Sequence, residues 1–115
     1  MTVRGIHDAG AGWATSRTRT TSADMSGGAD ISAAPASGCK LVVTDVVVSV
    51  DTAMRVDLKE ETAGTVFASF YMDANTTVQF TPRGKFKLDT ADKKLQGQTS
   101  AAGNISVTVL YYSEA

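Results

Sequence analysis

A period-two alternation of apolar and polar residues is the feature that most constrains this chain. In the closing segment Ile105, Val107, Val109 and Tyr111 alternate with Ser106, Thr108, Leu110 and Tyr112, directly after the turn signal AAGN. Successive side chains of a strand point to opposite faces, so this pattern makes a strand with one buried face, whereas a helix would scatter it. The run KLVVTDVVVSV behaves similarly. Val42, Val46, Val48 and Val50 share one face with Lys40 at its edge, and Asp45, Ser49 and Asp51 lie on the other. Leu41, Val43 and Val47 break the alternation, which implies a central strand whose second face is partly covered.

The pattern continues in shorter pieces. Met54, Val56 and Leu58 alternate with Arg55, Asp57 and Lys59 up to the turn-like EETAG. In TVFASFYM the alternation is expected to turn Val66, Ala68, Phe70 and Met72 inward and Phe67, Ser69 and Tyr71 outward. Val78 and Phe80 form a strand stopped by Pro82, which cannot donate to a ladder. Phe86 and Leu88 resume after Arg83-Gly84, and Leu95 anchors one more strand. About seven or eight strands at roughly ten-residue intervals, without a helical period, predict an all-β fold. The expected form is an antiparallel two-sheet sandwich, jelly-roll-like in topology. An immunoglobulin-like sandwich ranks second, because its cysteine pair and core tryptophan are missing.

Residues 1–37 have a different texture. They are rich in Ala, Gly, Ser and Thr, with Val3, Ile6, Trp13, Met25 and Ile31 widely spaced among them. Such a segment is not expected to close a core, because ordering its backbone costs about 1–2 kcal/mol per residue. It is therefore read as an extended N-terminal arm, ordered on binding, reaching on the order of 100 Å when fully extended. Residues 38–115 are the sandwich domain. A body of about 80 residues buries only about 60% of the surface its unfolded chain exposes, which favours oligomerisation.

Charge selects no partner. Eleven basic and twelve acidic residues give a net charge of −1, too balanced to attract nucleic acid or an anionic membrane. Arg17 and Arg19 form a local basic bias, but the same segment carries Asp8, Asp24 and Asp30, so solvated or locally paired arginines are the plain reading. Cys39 is alone, which excludes an intrachain disulfide and a two-cysteine metal motif. No apolar run has the length of a signal peptide or membrane span. Synthesis in a reducing cytoplasm is expected.

Catalytic chemistry is not expected either. His7 is the single histidine and lies in the arm, where nothing holds it beside a nucleophile. The carboxylates Asp45, Asp51, Asp57, Glu60, Glu61, Asp73, Asp89 and Asp92 fall at strand ends or outward positions, without calcium-loop spacing. AGAGW and SGG lack the strand, helix and lysine context of a phosphate-binding loop. Tyr71, Tyr111 and Tyr112 are read first as packing or subunit contacts and second as a sugar-stacking platform. No catalytic, cofactor-binding or metal-ligating residue is assigned.

The order of the segments resembles one family. KLVVTDVVVSV, MRVDLKEE, TVFASFYMDANTTVQFTPRGKFKL and LQGQTSAAGNISVTVLYY together resemble small jelly-roll capsid decoration (cement) proteins of tailed bacteriophages. The likeness covers residues 39–112, and DANTTVQFTPRGKFKL and SAAGNISVTVLYY carry most of it. It implies a non-enzymatic virion protein on the outer face of the phage head, commonly a homotrimer, binding the major capsid protein without nucleic acid, membrane or cofactor. The arm residues Ile6, Trp13, Arg17 and Arg19 would then contact the shell, and Phe67, Tyr71, Leu110 and Tyr112 are the candidates for the oligomer interface. Two rivals remain: a carbohydrate- or receptor-binding head fibre module, and a head–tail connector or tail protein.

Overall fold

The structure is a computed structural model and describes residues 16–61, 64–82 and 86–115. Nine strands run through them: β1 (Ser16–Ser22), β2 (Ala29–Asp30), β3 (Lys40–Val50), β4 (Met54–Glu60), β5 (Val66–Met72), β6 (Thr76–Phe80), β7 (Phe86–Lys87), β8 (Leu95–Thr99) and β9 (Ile105–Glu114). They form two antiparallel sheets. Sheet A has the order β1-β9-β3-β6, with β7 also paired to β3, and sheet B has the order β2-β8-β4-β5.

β6 pairs with Val46–Val50 and β7 with Val42 and Val43, so the two are one strand along β3, interrupted near Pro82. Taken as one, they leave eight strands whose pairing is nested: β1 with β9, β2 with β8, β3 with β6 and β7, β4 with β5. The chain is thus a long hairpin with its two arms paired throughout. It wraps around itself until β9 meets β3 and β8 meets β4. This is a jelly roll, the expected topology.

Two β-bulges explain where the alternation fails. The β3–β9 register shifts between Val43 and Asp45. Thr44 is the extra residue, and its hydroxyl donates to the Leu110 carbonyl at 3.1 Å. A bulge reverses the parity of a strand, so Leu41 and Val43 face the core on one side of it and Val46, Val48 and Val50 on the other. The second bulge lies between Leu58 and Lys59, where Lys59 pairs with Val66 and Phe67 is left over. The expected orientation of these two residues is reversed. Val66 is exposed, while Phe67 packs on the core and meets Phe86 edge to face at 4.5 Å.

The boundary at residue 37 also moves. Within the segment read as an arm, residues 16–22 make β1 with seven register pairs to β9, and Ala29 and Asp30 make β2. Met25 and Ile31, read as too sparse to close a core, are 1% and 2% exposed. They fit because β8 carries Gly97 opposite them: a Cβ there would lie 3.1 Å from both Met25 Sδ and Ile31 Cδ1. The inward side chains of β1 are hydroxyls, and Thr18 Oγ1 donates to the Ile31 carbonyl at 2.7 Å. The sandwich therefore begins by Ser16. Ile6 and Trp13 lie outside the described residues.

Glu60 is the other departure. Expected from sequence at a strand end or outward position, it takes the inward place after Met54, Val56 and Leu58 and is 1% exposed. Its Oε2 accepts the Thr90 backbone N–H at 2.9 Å and its Oε1 accepts the Thr90 hydroxyl at 3.2 Å. A buried carboxylate needs such donors, and these two tie the end of β4 to the loop before β8.

Candidate functional site

The outer faces of the two sheets differ in how far their polar groups satisfy one another. On sheet B the side chains of β4, β5 and β8 are mutually bonded. Asp57 accepts from Ser69 at 2.7 Å and pairs with Arg55 at 3.2 Å; Lys59 donates to Gln98 at 2.9 Å. Asp30 at the β2 border accepts from Gln96 at 2.8 Å and from Lys94 at 3.0 Å. Those bonds, Gln96 first, hold the Asp30 carboxyl below its ordinary range, and the bond to Asp30 raises the Lys94 ammonium above its own.

Sheet A leaves more groups open. Its register sets three outward rows across the strands: Arg17, Leu110 and Asp45; Arg19, Thr108, Val47 and Gln79; Thr21, Ser106, Ser49 and Thr77. Asp45 accepts from Thr81 at 2.8 Å, Ser49 and Thr77 share a bond of 2.9 Å, and Arg19 Nε donates to Ser106 Oγ at 3.2 Å. Among the described residues the Arg17 side chain has no hydrogen-bonded or ionic partner, and the terminal guanidinium nitrogens of Arg19 have none either. At one end of the face lies an open depression of about 610 Å3 lined by Arg19, Thr21, Ser49, Asp51, Asn104 and Ser106. Asp51 is already engaged. Asn104 gives it both its side-chain amide, at 2.6 Å, and its backbone N–H, at 2.9 Å, and the carboxyl sits below its ordinary range chiefly for that reason.

The structure therefore joins residues that sequence reading had assigned to different tasks. Arg17 lies directly opposite Leu110 on adjacent strands, with Arg19 one row away. Thr21, Thr108, Val47 and Gln79 also lie on this face and were not read as binding residues. The signal for the first was present in SRTRTTS, an alternating β-branched run, but it lacks apolar residues to mark an inward side. The other interface candidates separate. Tyr71 is 83% exposed on β5. Phe67 is turned inward by the bulge. Tyr112 is buried, with its hydroxyl 3.3 Å from Glu114 Oε1, so it is not an open contact residue in this fold.

Among the described residues no group of three or more His, Cys, Asp or Glu side chains is placed to hold a metal ion, and no helix is long and apolar enough to cross a membrane. Cys39 is half-buried and His7 lies outside the described residues. The chain matches no known protein-family model and no curated protein.

Proposed function

We propose that the chain is a virion structural protein: a decoration, or cement, protein that binds as a homotrimer to the outer surface of a tailed-phage head and strengthens contacts between major capsid subunits. The observation that carries this reading is β1. It places the open guanidinium groups of Arg17 and Arg19 beside Leu110 on the outer face of sheet A, and residues 1–15 join the fold at its first residue. The N-terminal segment is thus covalently joined to the border strand that carries the polar face.

Size supports the use of both parts. Four strands about 4.8 Å apart and about 23 Å long present on the order of 440 Å2, short of the roughly 800 Å2 per partner of a standard stable interface. The N-terminal segment adds the remaining contact, and several copies on one oligomer add avidity. Added interface of this kind must be broken before the shell bursts, which is the mechanical contribution of a cement protein.

The test is co-sedimentation of the purified protein with heads of the phage that carries its gene. Binding is expected, at least about tenfold weaker for Arg17→Glu/Arg19→Glu and for a chain starting at Ser16. No co-sedimentation refutes the function. Unchanged binding by the charge-reversed variant refutes the face. The glycan- or receptor-binding alternative has Tyr71 in its favour, because an exposed ring at a sheet border can stack on a sugar. Glycan binding lost in Tyr71→Ala, without shell binding by the parent, supports that alternative instead.

A further inference from the structure

The outward rows of sheet A differ in bulk. Arg19, Thr108, Val47 and Gln79 form one row, and in the next, Thr21, Ser106, Ser49 and Thr77 carry hydroxyls on short side chains. Past that row the Asp51 carboxylate and Asn104 bridge the ends of β3 and β9. The depression on this face is therefore a trough lined by the hydroxyls of Thr21, Ser49 and Ser106, with Arg19 and the Asp51–Asn104 bridge at its borders.

The groups left open at the Arg19 border are donors. Arg19 Nε donates to Ser106 Oγ at 3.2 Å, which anchors the guanidinium and leaves its Nη1/Nη2 edge without a partner among the described residues. Because the Ser106 oxygen accepts that bond, its hydroxyl proton remains to be donated. The Thr21 hydroxyl also has no partner among the described residues. The acidic group of the trough is engaged elsewhere: Asp51 accepts from the Thr52 hydroxyl at 2.9 Å, the Asn104 backbone N–H at 2.9 Å and the Asn104 side-chain amide at 2.6 Å. Asp51 lies two strands across and four residues along from Arg19, which puts their backbones about 16 Å apart. Exposed charges at such a distance are largely screened, since the Debye length is about 8 Å at physiological ionic strength.

We propose that this trough is a carboxylate site, which receives an aspartate or glutamate side chain of the protein on which the chain docks. The Nη1/Nη2 edge of Arg19 matches the two oxygens of a carboxylate in parallel, charge-assisted bonds. The Ser106 and Thr21 hydroxyls supply further donors beside it. The charge of the ligand follows from the lining, which carries one cation and one anion. A single negative charge satisfies Arg19, whereas a phosphate group brings about −1.5 to −2. The trough is open and continues the face of Arg17, Arg19 and Leu110, so a side chain standing out from a docked protein surface reaches it. Asn104 Oδ1, an acceptor without a partner among the described residues, is placed for a backbone N–H of that protein. The inference rests on that face being the docking face, and names the chemistry it recognises.

The experiment is a titration of the isotope-labelled full chain, followed by backbone amide nuclear magnetic resonance. The probes are an end-blocked glutamate tripeptide, its glutamine counterpart, inorganic phosphate and glucuronate. The glutamate peptide is expected to shift the amides of residues 19–22 and 104–106, and to bind at least about tenfold more tightly than the glutamine peptide or phosphate. Arg19→Gln is expected to lose at least about tenfold in affinity for it. Arg19 is exposed, and far-UV circular dichroism confirms folding of the variant. A glutamate peptide that shifts nothing, shifts centred on other strands, phosphate or glucuronate binding as tightly as the peptide, or unchanged binding by Arg19→Gln overturns the inference. Should the variant not fold, the ranking of probes on the parent decides. A chain that binds phage heads but not the peptide refutes this inference and leaves the proposed function standing. A chain that binds the peptide in this trough but ignores heads refutes the function and leaves the carboxylate site standing.

Discussion

Ile31→Ala tests whether residues 16–37 are part of the body or a free segment. The side chain is 2% exposed and sits with Met25 against β8. Truncating a buried isoleucine to alanine costs about 2–5 kcal/mol, because the transfer energy is lost and the cavity only partly collapses. A substitution on a free arm stays within about 0.5 kcal/mol. Domains of this class have about 5–15 kcal/mol in total, so the two readings are far apart. Gly97→Ala sharpens the test, since its methyl would come within 3.1 Å of Ile31 Cδ1 and Met25 Sδ, an overpacking worth about 1–3 kcal/mol. In the Ile31→Ala background the added methyl enters vacated space, so its cost falls and the pair is non-additive by about 0.5–3 kcal/mol. Urea unfolding of the parent, both single variants and the double variant, followed by far-UV circular dichroism, measures all four corners. An Ile31→Ala midpoint matching the parent's, or strict additivity with Gly97→Ala, refutes the packing of this segment.

Deletion of residues 1–15 is expected to leave a folded chain with weakened shell binding. Deletion of residues 1–37 removes β1, β2, Met25 and Ile31, bares β9 as a border, and is expected to aggregate; size-exclusion chromatography separates the outcomes. Glu60→Ala empties a buried side-chain position and removes the acceptor of the Thr90 backbone N–H and hydroxyl; it is expected to cost about 1–3 kcal/mol in urea unfolding, with Glu60→Gln milder because it still accepts one bond. The depressed Asp30 carboxyl stabilises the fold above its ordinary value of 3.8, and that contribution is lost as pH falls through its lower folded value. The parent's urea midpoint should therefore fall more steeply below pH 4 than that of Asp30→Asn.

Much of the fold was legible because β3, β4 and β9 bury one apolar face each, and Pro82 marked where β6 ends. What escaped had physical reasons. β1 turns Thr18, Thr20 and Ser22 inward, and the threonines answer the Ile31 carbonyl rather than filling the core, so no apolar period announces the strand. Met25 and Ile31 are six residues apart and come together against Gly97 of β8. The bulges at Thr44 and Phe67 depend on cross-strand register, which one strand's sequence does not encode. Glu60 stood in an inward position of its own alternation, but its partner Thr90 is thirty residues away. For the binding surface, Arg17 and Arg19 were picked out as a basic bias in the arm, and Leu110 as an interface residue. Their union on one face follows from the β1–β9 pairing alone.

Electron microscopy of phage heads with and without this protein tests the shell-binding function most directly. Added density is expected, confined to the outer surface, at sites between major capsid subunits, shaped as a two-sheet sandwich with the Arg17, Arg19 and Leu110 face toward the shell. Identical heads, or density at the neck, at the tail or inside the shell, would contradict it.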